Sequence, residues 1–428
     1  MNMTTRVRGP IARLGAIGLI LSSASIVAIS PARADEVDEL RAEVKQLREE
    51  IAILRSVVQQ NTQDVDQLAA KPKAPSRMVS SDNDNVSLKL SGQVNRMLLY
   101  ADDGDQSNIF NADNDFSSTR IQLQGRAKLS DDLTVSAMVE TEFESNSTDR
   151  VQIQQDRADN TNATFRERRL EVFADSASLG RLSIGQGSMA SDGAAETILS
   201  GTSVVAGSKI EAYGGRILFL REDNHASSGR SIVNLFSNQD GVLDDRIRYD
   251  SPNFAGFVGS TSYADGDRWD AVLRYGNKFK FGEIQGAAGY FDTRSTGTPG
   301  SVVGGSTMMA SVAYEAPFGT NIQGAYSEQD FEQRGRNSAN YWWLMLGQDI
   351  DLIDLGQTAF SIAYAHSQDQ AINGSSGDFW GIAAMQEIKK AATQIYFAFG
   401  QFDAELPGNP NVELEPITFA GLGARVKF

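Results

Sequence analysis

The chain of 428 residues contains no cysteine, only two histidines and only ten prolines. Without cysteine there is no disulfide framework and no thiolate metal site. His225 and His366 stand far apart in the sequence, and neither belongs to an H-E-x-x-H pattern. A G-x-S-x-G elbow and a phosphate-binding loop are missing too, so a nucleophile would lack its usual base and catalysis is poorly supported. Positive charge is also in deficit. The net charge is −16, which argues against a nucleic-acid partner. Past the first segment, no apolar run is long enough for a membrane-spanning helix.

What is present comes in distinct textures. Residues 1–34 have the layout of a signal peptide: Arg6, Arg8 and Arg13, then an apolar stretch from Leu14 to Ile29, then Ala32-Arg33-Ala34. Cleavage there predicts a mature start at Asp35. It removes four arginines and no acid, so the mature charge is 35 − 55 = −20.

Residues 35–70 read as a parallel coiled coil. Val37, Val44, Ile51, Val58 and Val65 fall at heptad position a, and Leu40, Leu47, Leu54 and Leu68 at d. Glu36 with Arg41, Glu43 with Arg48 and Glu50 with Arg55 take the g and e′ positions of neighbouring parallel helices. Asn61 interrupts the seam at d. A buried amide there costs stability but penalises wrong registers. β-branched residues at a with Leu at d favour dimers as a rule. The string Val58-Gln-Gln-Asn61-Thr62 instead resembles the Asn layers of trimeric autotransporter adhesin stalks, which implies a trimer. A linker rich in Pro, Ser and charge follows, over 71–85.

From Val86 onward the apolar period is 2. In 121–129, Ile121, Leu123, Ala127 and Leu129 share one face, opposite Arg120, Gln122, Gln124, Arg126 and Lys128. In 133–144, Leu133, Val135, Ala137, Val139 and Phe143 oppose Ser136, Glu140, Glu142 and Glu144. Each such segment is about the 9–11 residues a tilted membrane strand needs. Short connections such as SASLG, APFGT and KKAA alternate with long polar ones such as ADDGDQSNIFNADND. Trp269, Tyr275, Tyr290, Tyr341, Trp342, Trp343 and Trp380 suit interfacial girdles. Together these features predict an all-β transmembrane barrel. Counting every alternating segment gives 18 strands. Placing 216–222 and 231–237 in a long loop gives 16, the favoured number.

Three stretches carry a family resemblance: FRERRLEVFADSASLGRLSIGQGS (165–188), RIRYDSPNFAGFVGSTSYA (246–264) and the terminal Val426-Lys427-Phe428. They resemble the Gram-negative trimeric porins, and the coil placed before the barrel resembles the DcaP-type and phosphate-selective members. The resemblance implies a homotrimer in the outer membrane, in contact with lipid and lipopolysaccharide, with the coil in the periplasm, where it could reach peptidoglycan. It implies passive diffusion of small hydrophilic solutes and no cofactor, and it makes Phe428 the signal read by the barrel assembly machinery. A cell-wall tether and an outer-membrane enzyme are the other readings.

By the same resemblance a third loop, from about 188 to 215 or beyond, folds inward and narrows the pore. Asp192 and Glu196 would be its acidic edge, and Arg120, Arg126, Arg169, Arg246 and Arg248 the facing wall. A wall of this sign would favour small anions such as dicarboxylates, although the overall acid excess points the other way. Acids at Asp102, Asp103, Asp105, Asp113 and Asp115 are candidates for divalent cations in outer loops, but their spacing fits no defined loop.

Overall fold

The computed structural model describes residues 78–80, 86–154, 164–292, 305–408 and 411–428. The signal segment, the coil with Asn61 and most of the linker lie outside the described residues. The short strand Met78–Ser80 falls where the sequence reads as linker, and pairs with 87–89.

Sixteen antiparallel strands close into a barrel. They are β1 (Val86–Asp102), β2 (in two pieces, Ser107–Asp113 and Arg120–Lys128), β3 (Leu133–Glu144), β4 (Thr164–Ser176), β5 (Gly180–Ser188), β6 (Leu243–Asp250), β7 (Phe257–Ala264) and β8 (Arg268–Phe279). Then come β9 (Gly282–Asp292), β10 (Gly305–Glu315), β11 (Thr320–Phe331), β12 (Ala339–Ile353), β13 (Gly356–Gln368), β14 (Ser376–Ile388), β15 (Thr393–Leu406) and β16 (Ile417–Lys427). Each strand pairs with its neighbour in sequence, and β16 returns to β1, with Asp102 opposite Thr418 and Gln93 opposite Lys427. The segments around 216–222 and 231–237 are not in the wall. Leu218–Leu220 pairs with Ser227–Ser231 in a separate small sheet, followed by a short helix, Ile232–Leu235.

One long connection is corrected. Residues 107–113 are not outer loop but the upper half of β2, joined to β1 by a tight turn in which Asp103 Oδ1 accepts from the amides of Asp105 and Gln106. Asp102 likewise accepts from Gly104 N. These acids serve as turn acceptors, which accounts for a run that reads as loop. Below, β2 breaks at a single 3-10 turn, Asp115–Ser117, capped by the Asn114 side chain.

Turns at the other end are short. At Gly319 the backbone takes φ +84, and a Cβ would sit 1.9 Å from the Asp349 carbonyl oxygen, so only glycine fits.

Outward residues are apolar and exposed, as in Leu344, Leu346, Phe360 and Ile362. Two aromatic rings bound them. In the upper ring, Tyr100, Tyr263, Tyr326 and Tyr364 each donate their hydroxyl to an acid one step beyond: Asp102, Asp267, Glu328 and Asp378. Trp269, Trp342 and Trp380 belong to the same ring. Tyr341 and Trp343 do not, because they point inward and are buried.

The last bonds of the wall are made by the terminal residue. Phe428 N donates to Gly92 O and Gly92 N to Phe428 O, both at 3.0 Å. The Phe428 ring lies so close to Gly92 that a Cβ there would stand 2.7 Å from Cζ. Replacing Gly92 with Val should therefore destabilise the barrel by about 1–3 kcal/mol through overpacking. Urea unfolding of the refolded variant checks this, and an unchanged midpoint would contradict it.

Candidate functional site

A sheet closed at sixteen strands encloses more space than its own side chains fill. Here the connection between β5 and β6, residues 189–242, supplies the rest. It takes in 216–222 and 231–237, as the count of sixteen strands expects, and turns inside the barrel. Wall strands β7, β8 and β10 to β13 hold it by inward polar groups. Ser262 of β7 accepts from Ala190 N (2.9 Å), and Asp270 of β8 from Ser191 N (2.6 Å). Ser311 of β10 accepts from Thr197 N (3.1 Å), and Gln323 of β11 from Leu199 N (2.6 Å). Asp349 of β12 accepts from Gly201 N (2.8 Å), and Ser361 of β13 meets the Thr202 hydroxyl at 2.9 Å. Five of these donors are amides that no regular element satisfies, and each finds an acceptor on the wall.

The second half of the loop docks by packing. Tyr213 stacks on Phe419 of β16 at 4.1 Å and on Phe379 of β14 at 6.1 Å, and Phe236 meets Phe402 of β15 edge-on at 5.1 Å. Val204, Val205, Ile210, Ile217 and Phe219 complete a dry core against Met97, Leu99, Tyr341, Trp343 and Tyr396. On β12 and β14–β16 the inward face is therefore apolar, and both faces of these strands read as hydrophobic. The break in β2 is a docking point too. Phe116 packs against Tyr213 at 4.6 Å, Asn114 Nδ2 donates to Val204 O (2.9 Å), and Asp115 pairs with Lys209 of the loop.

Across from this core lies a charged wall. Arg120 of β2 faces Glu140 at 3.8 Å. Arg169 pairs with Glu171, and the same carboxylate receives the buried Arg246. Arg248 chelates Asp250, with Nη2 to Oδ1 at 2.8 Å, and also donates to Met189 O (2.9 Å). Each of these four is braced by a wall acid. Arg126 is not brought together with them. It lies further down β2, exposed, opposite Ser87 and Ser136.

Three further arginines complete the wall. A β-bulge where β4 meets Glu140 and Thr141 puts Arg168 on the same side as Arg169. Arg168 bridges Glu140 (3.0 Å) and Glu142 (3.1 Å), and Arg166 holds Glu144 (3.1 Å). Strict alternation counted from Glu171 sends both outward, so period 2 misses them. Arg274 of β8 is also central: its Nη2 supports the loop through Ala190 O (2.7 Å) and Asp192 O (2.8 Å).

On the loop, Glu196 Oε1 accepts from Asn238 Nδ2 at 2.8 Å. Asp240 closes the Asp192–Glu196 turn by accepting from Gly193 N (2.6 Å) and Ala195 N (2.7 Å). Burial raises the pKa of Glu196, and raises Asp240 well above the usual range with Glu196 beside it. Burial pushes Glu211 up to about 8. Lys209 is raised despite burial, because Asp115 and Glu211 hold its charge. Beneath the turn a cavity of ≈ 810 Å³ remains, lined by Asp175, Arg181, Glu196, Arg248, Asp250 and Arg274 among others.

Of the five acids read as outer-loop cation candidates, only Asp115 meets other carboxylates, those of Glu142 and Glu144. All three are already paired, with Lys209, Arg168 and Arg166. Asp113 pairs with Arg96 at 2.7 Å. The histidines lie apart: His225 is 3.5 Å from Glu415, and His366 is 2.9 Å from Asp378.

A membrane barrel with a folded loop and a charged wall inside its lumen is an outer-membrane channel. The family model for Gram-negative porins matches residues 68–411, and the chain belongs to that family. No curated protein sequence matches it. Among solved structures, the anion-selective porin from Comamonas acidovorans is similar over 80% of this chain and 100% of its own, at 16% identity and TM-score 0.55. OmpT of Vibrio cholerae in its trimer form covers 81% and 100%, at 13% and 0.52. The DcaP channel of Acinetobacter baumannii covers 82% and 99%, at 10% and 0.51. At these identities the likeness is one of fold.

The seating of the loop should depend on pH. Glu211 faces Lys209, Glu196, Asp115 and Tyr341. Its raised pKa means that the folded chain keeps a proton that the unfolded chain releases above the ordinary value of 4.5. The loop is then most stable below that range and loosens as pH rises through about 8. Current noise of single channels should rise across that pH, and Glu211→Gln should remove the rise. Noise independent of pH in the native chain would contradict it.

Proposed function

We propose that this chain is a diffusion channel for small hydrophilic solutes with a preference for small anions such as dicarboxylates, working as a homotrimer. The observation that carries the preference is the asymmetry of charge at the narrowing. Arg120, Arg166, Arg168, Arg169, Arg246, Arg248 and Arg274 stand on the wall, and the wall acids Glu140, Glu142, Glu144, Glu171 and Asp250 offset them only in part. Of the loop acids that would oppose them, Glu196, Asp240 and Glu211 are shifted toward their neutral forms, with Glu211 at about 8. The large acid excess elsewhere is screened over about 8 Å at physiological ionic strength. A permeant ion responds to the narrowest section, where the residual field is positive.

The trimer is supported by the heptads of 35–70 and the polar layer at Asn61, and OmpT of Vibrio cholerae, a similar fold, has a trimer form. On this reading Phe428, which seals β16 to β1, is also the residue that the assembly machinery reads, and the coil reaches toward peptidoglycan in the periplasm. Lipopolysaccharide would surround the upper ring.

The test is a reversal potential across a planar bilayer in a salt gradient. The native channel should be anion-selective, and Arg120→Ser with Arg168→Ser should move the potential toward cation preference. A native channel that is cation-selective and unmoved by the pair would overturn the assignment.

A further inference from the structure

The cavity of ≈ 810 Å³ lies between the loop turn 193–198 and the lower ends of β4 to β9, bordered by the short turns 175–181 and 251–256. Its volume is that of a site for a small molecule. Its charges are matched with one exception. Arg181 pairs with Asp175, and its guanidinium lies over the Phe173 ring at 4.5 Å. Arg248 chelates Asp250, which also accepts from Ser260 Oγ at 2.6 Å. Glu196 is bonded by Asn238, and burial shifts it toward its neutral form. Arg274 forms no ion pair among the described residues. Its Nη2 serves the loop carbonyls of Ala190 and Asp192, and its Nη1 is buried without a hydrogen-bond partner. An orphaned guanidinium nitrogen is costly, and folded proteins keep few such groups. Much of the remaining lining is uncharged: Asn253 and Gln285 are polar, Ile198 and Val258 apolar.

We propose that this cavity is a binding site for a monoanion that carries several hydroxyl groups, with its carboxylate at Arg274 and its hydroxyls along the neutral polar lining. This rests on the reading of the chain as a channel for small anions, and adds a solute class and the place where that solute is held. One unmatched cation calls for one negative charge. A second carboxylate on the solute would stand against Asp175 or Asp250, whose arginines are already engaged, and like charges at close range repel. Hydroxyls suit the remainder because each both donates and accepts, and the amides of Asn253 and Gln285 offer a donor and an acceptor each. Ile198 and Val258 give the carbon chain an apolar surface to lie on. The cavity differs in kind from the narrowing. There an ion responds to the field of a wet wall, whereas here a single cation is set among neutral partners in an enclosed space.

Four probes separate charge from hydroxyl content. Gluconate has one carboxylate on a polyol chain, glucarate has two on the same chain, sorbitol has none, and butanoate has one carboxylate and no hydroxyl. Binding of each to the purified full-length channel is measured by isothermal titration calorimetry, and the reversal potential of the same preparation is read in a salt gradient. Gluconate should bind about tenfold more tightly than the other three, and Arg274→Gln should weaken it by about tenfold or more, the size expected for a charged hydrogen bond. Arg274 also props the loop, so a second variant separates binding from folding. The Gln285 amide donates to Glu283 of its own strand at 2.7 Å and bonds no loop residue among those described. Gln285→Leu should therefore keep the loop seated and still weaken gluconate severalfold. Gluconate that binds no better than the other three, or that binds either variant with native affinity, overturns the site. A channel that is anion-selective but binds no gluconate overturns the site and leaves the channel reading standing. A cation-selective channel that binds gluconate through Arg274 overturns the anion reading and supports the site.

Discussion

Lipid offers no hydrogen bonds to a peptide group, so a sheet that crosses it must pair its edges. In this chain closure is the ladder of β16 against β1, from Thr418 opposite Asp102 to Lys427 opposite Gln93, and it ends in the bonds that Phe428 exchanges with Gly92. Closing at sixteen strands fixes a lumen that wall side chains cannot fill. The inward connection between β5 and β6 is the response to that constraint. It has to satisfy its own amides and bury its own apolar groups within a polar tube, and it does so by turning part of the tube apolar.

That solution divides the interior into two regimes. From β12 to β16 and onto β1, inward aromatics and the loop form a dry core around Tyr213. From β2 to β6, inward arginines and glutamates alternate and face water. The wall strands between them carry single acceptors such as Ser262, Ser311 and Gln323, which fix the height of the loop. Lys209 and Asp115 tie the loop to the break in β2, where the two regimes meet. Burial shifts Glu196, Glu211 and Asp240 of the loop toward their neutral forms.

The class of fold was legible because a half-wetted strand must alternate, and segments such as 121–129 and 133–144 alternate apart from Gly125, Met138 and Thr141. The placement of 216–222 and 231–237 in a loop was legible from their weak pattern. Three things were not. Residues 107–113 hid behind Asp and Asn that are spent on turns and on Arg96. Tyr341 and Trp343 looked like girdle residues, because both faces of β12 are apolar when a loop packs inside. Arg166 and Arg168 were invisible to a period of 2, since a bulge shifts the phase by one residue. Arg120, Arg169, Arg246 and Arg248 do point inward; Arg169 and Arg248 take acids two residues on in their own strands, while the partners of Arg120 and Arg246, Glu140 and Glu171, lie on other strands, which only register reveals. Arg126 has the right phase and the wrong height, and phase carries no information on height.

The claim most exposed to test is that the loop seals a dry core against the wall. Trp343 is the inward tryptophan, 2% exposed beneath the loop, while Trp269, Trp342 and Trp380 are each close to 40% exposed on the outer face. A chain in which those three are replaced by Phe reports on Trp343 alone. Its fluorescence should be blue-shifted and shielded from iodide added to both sides of a reconstituted vesicle. Emission at the wavelength of hydrated indole, quenched by iodide as readily as free tryptophan, would mean that water reaches the inner wall and that no such core exists.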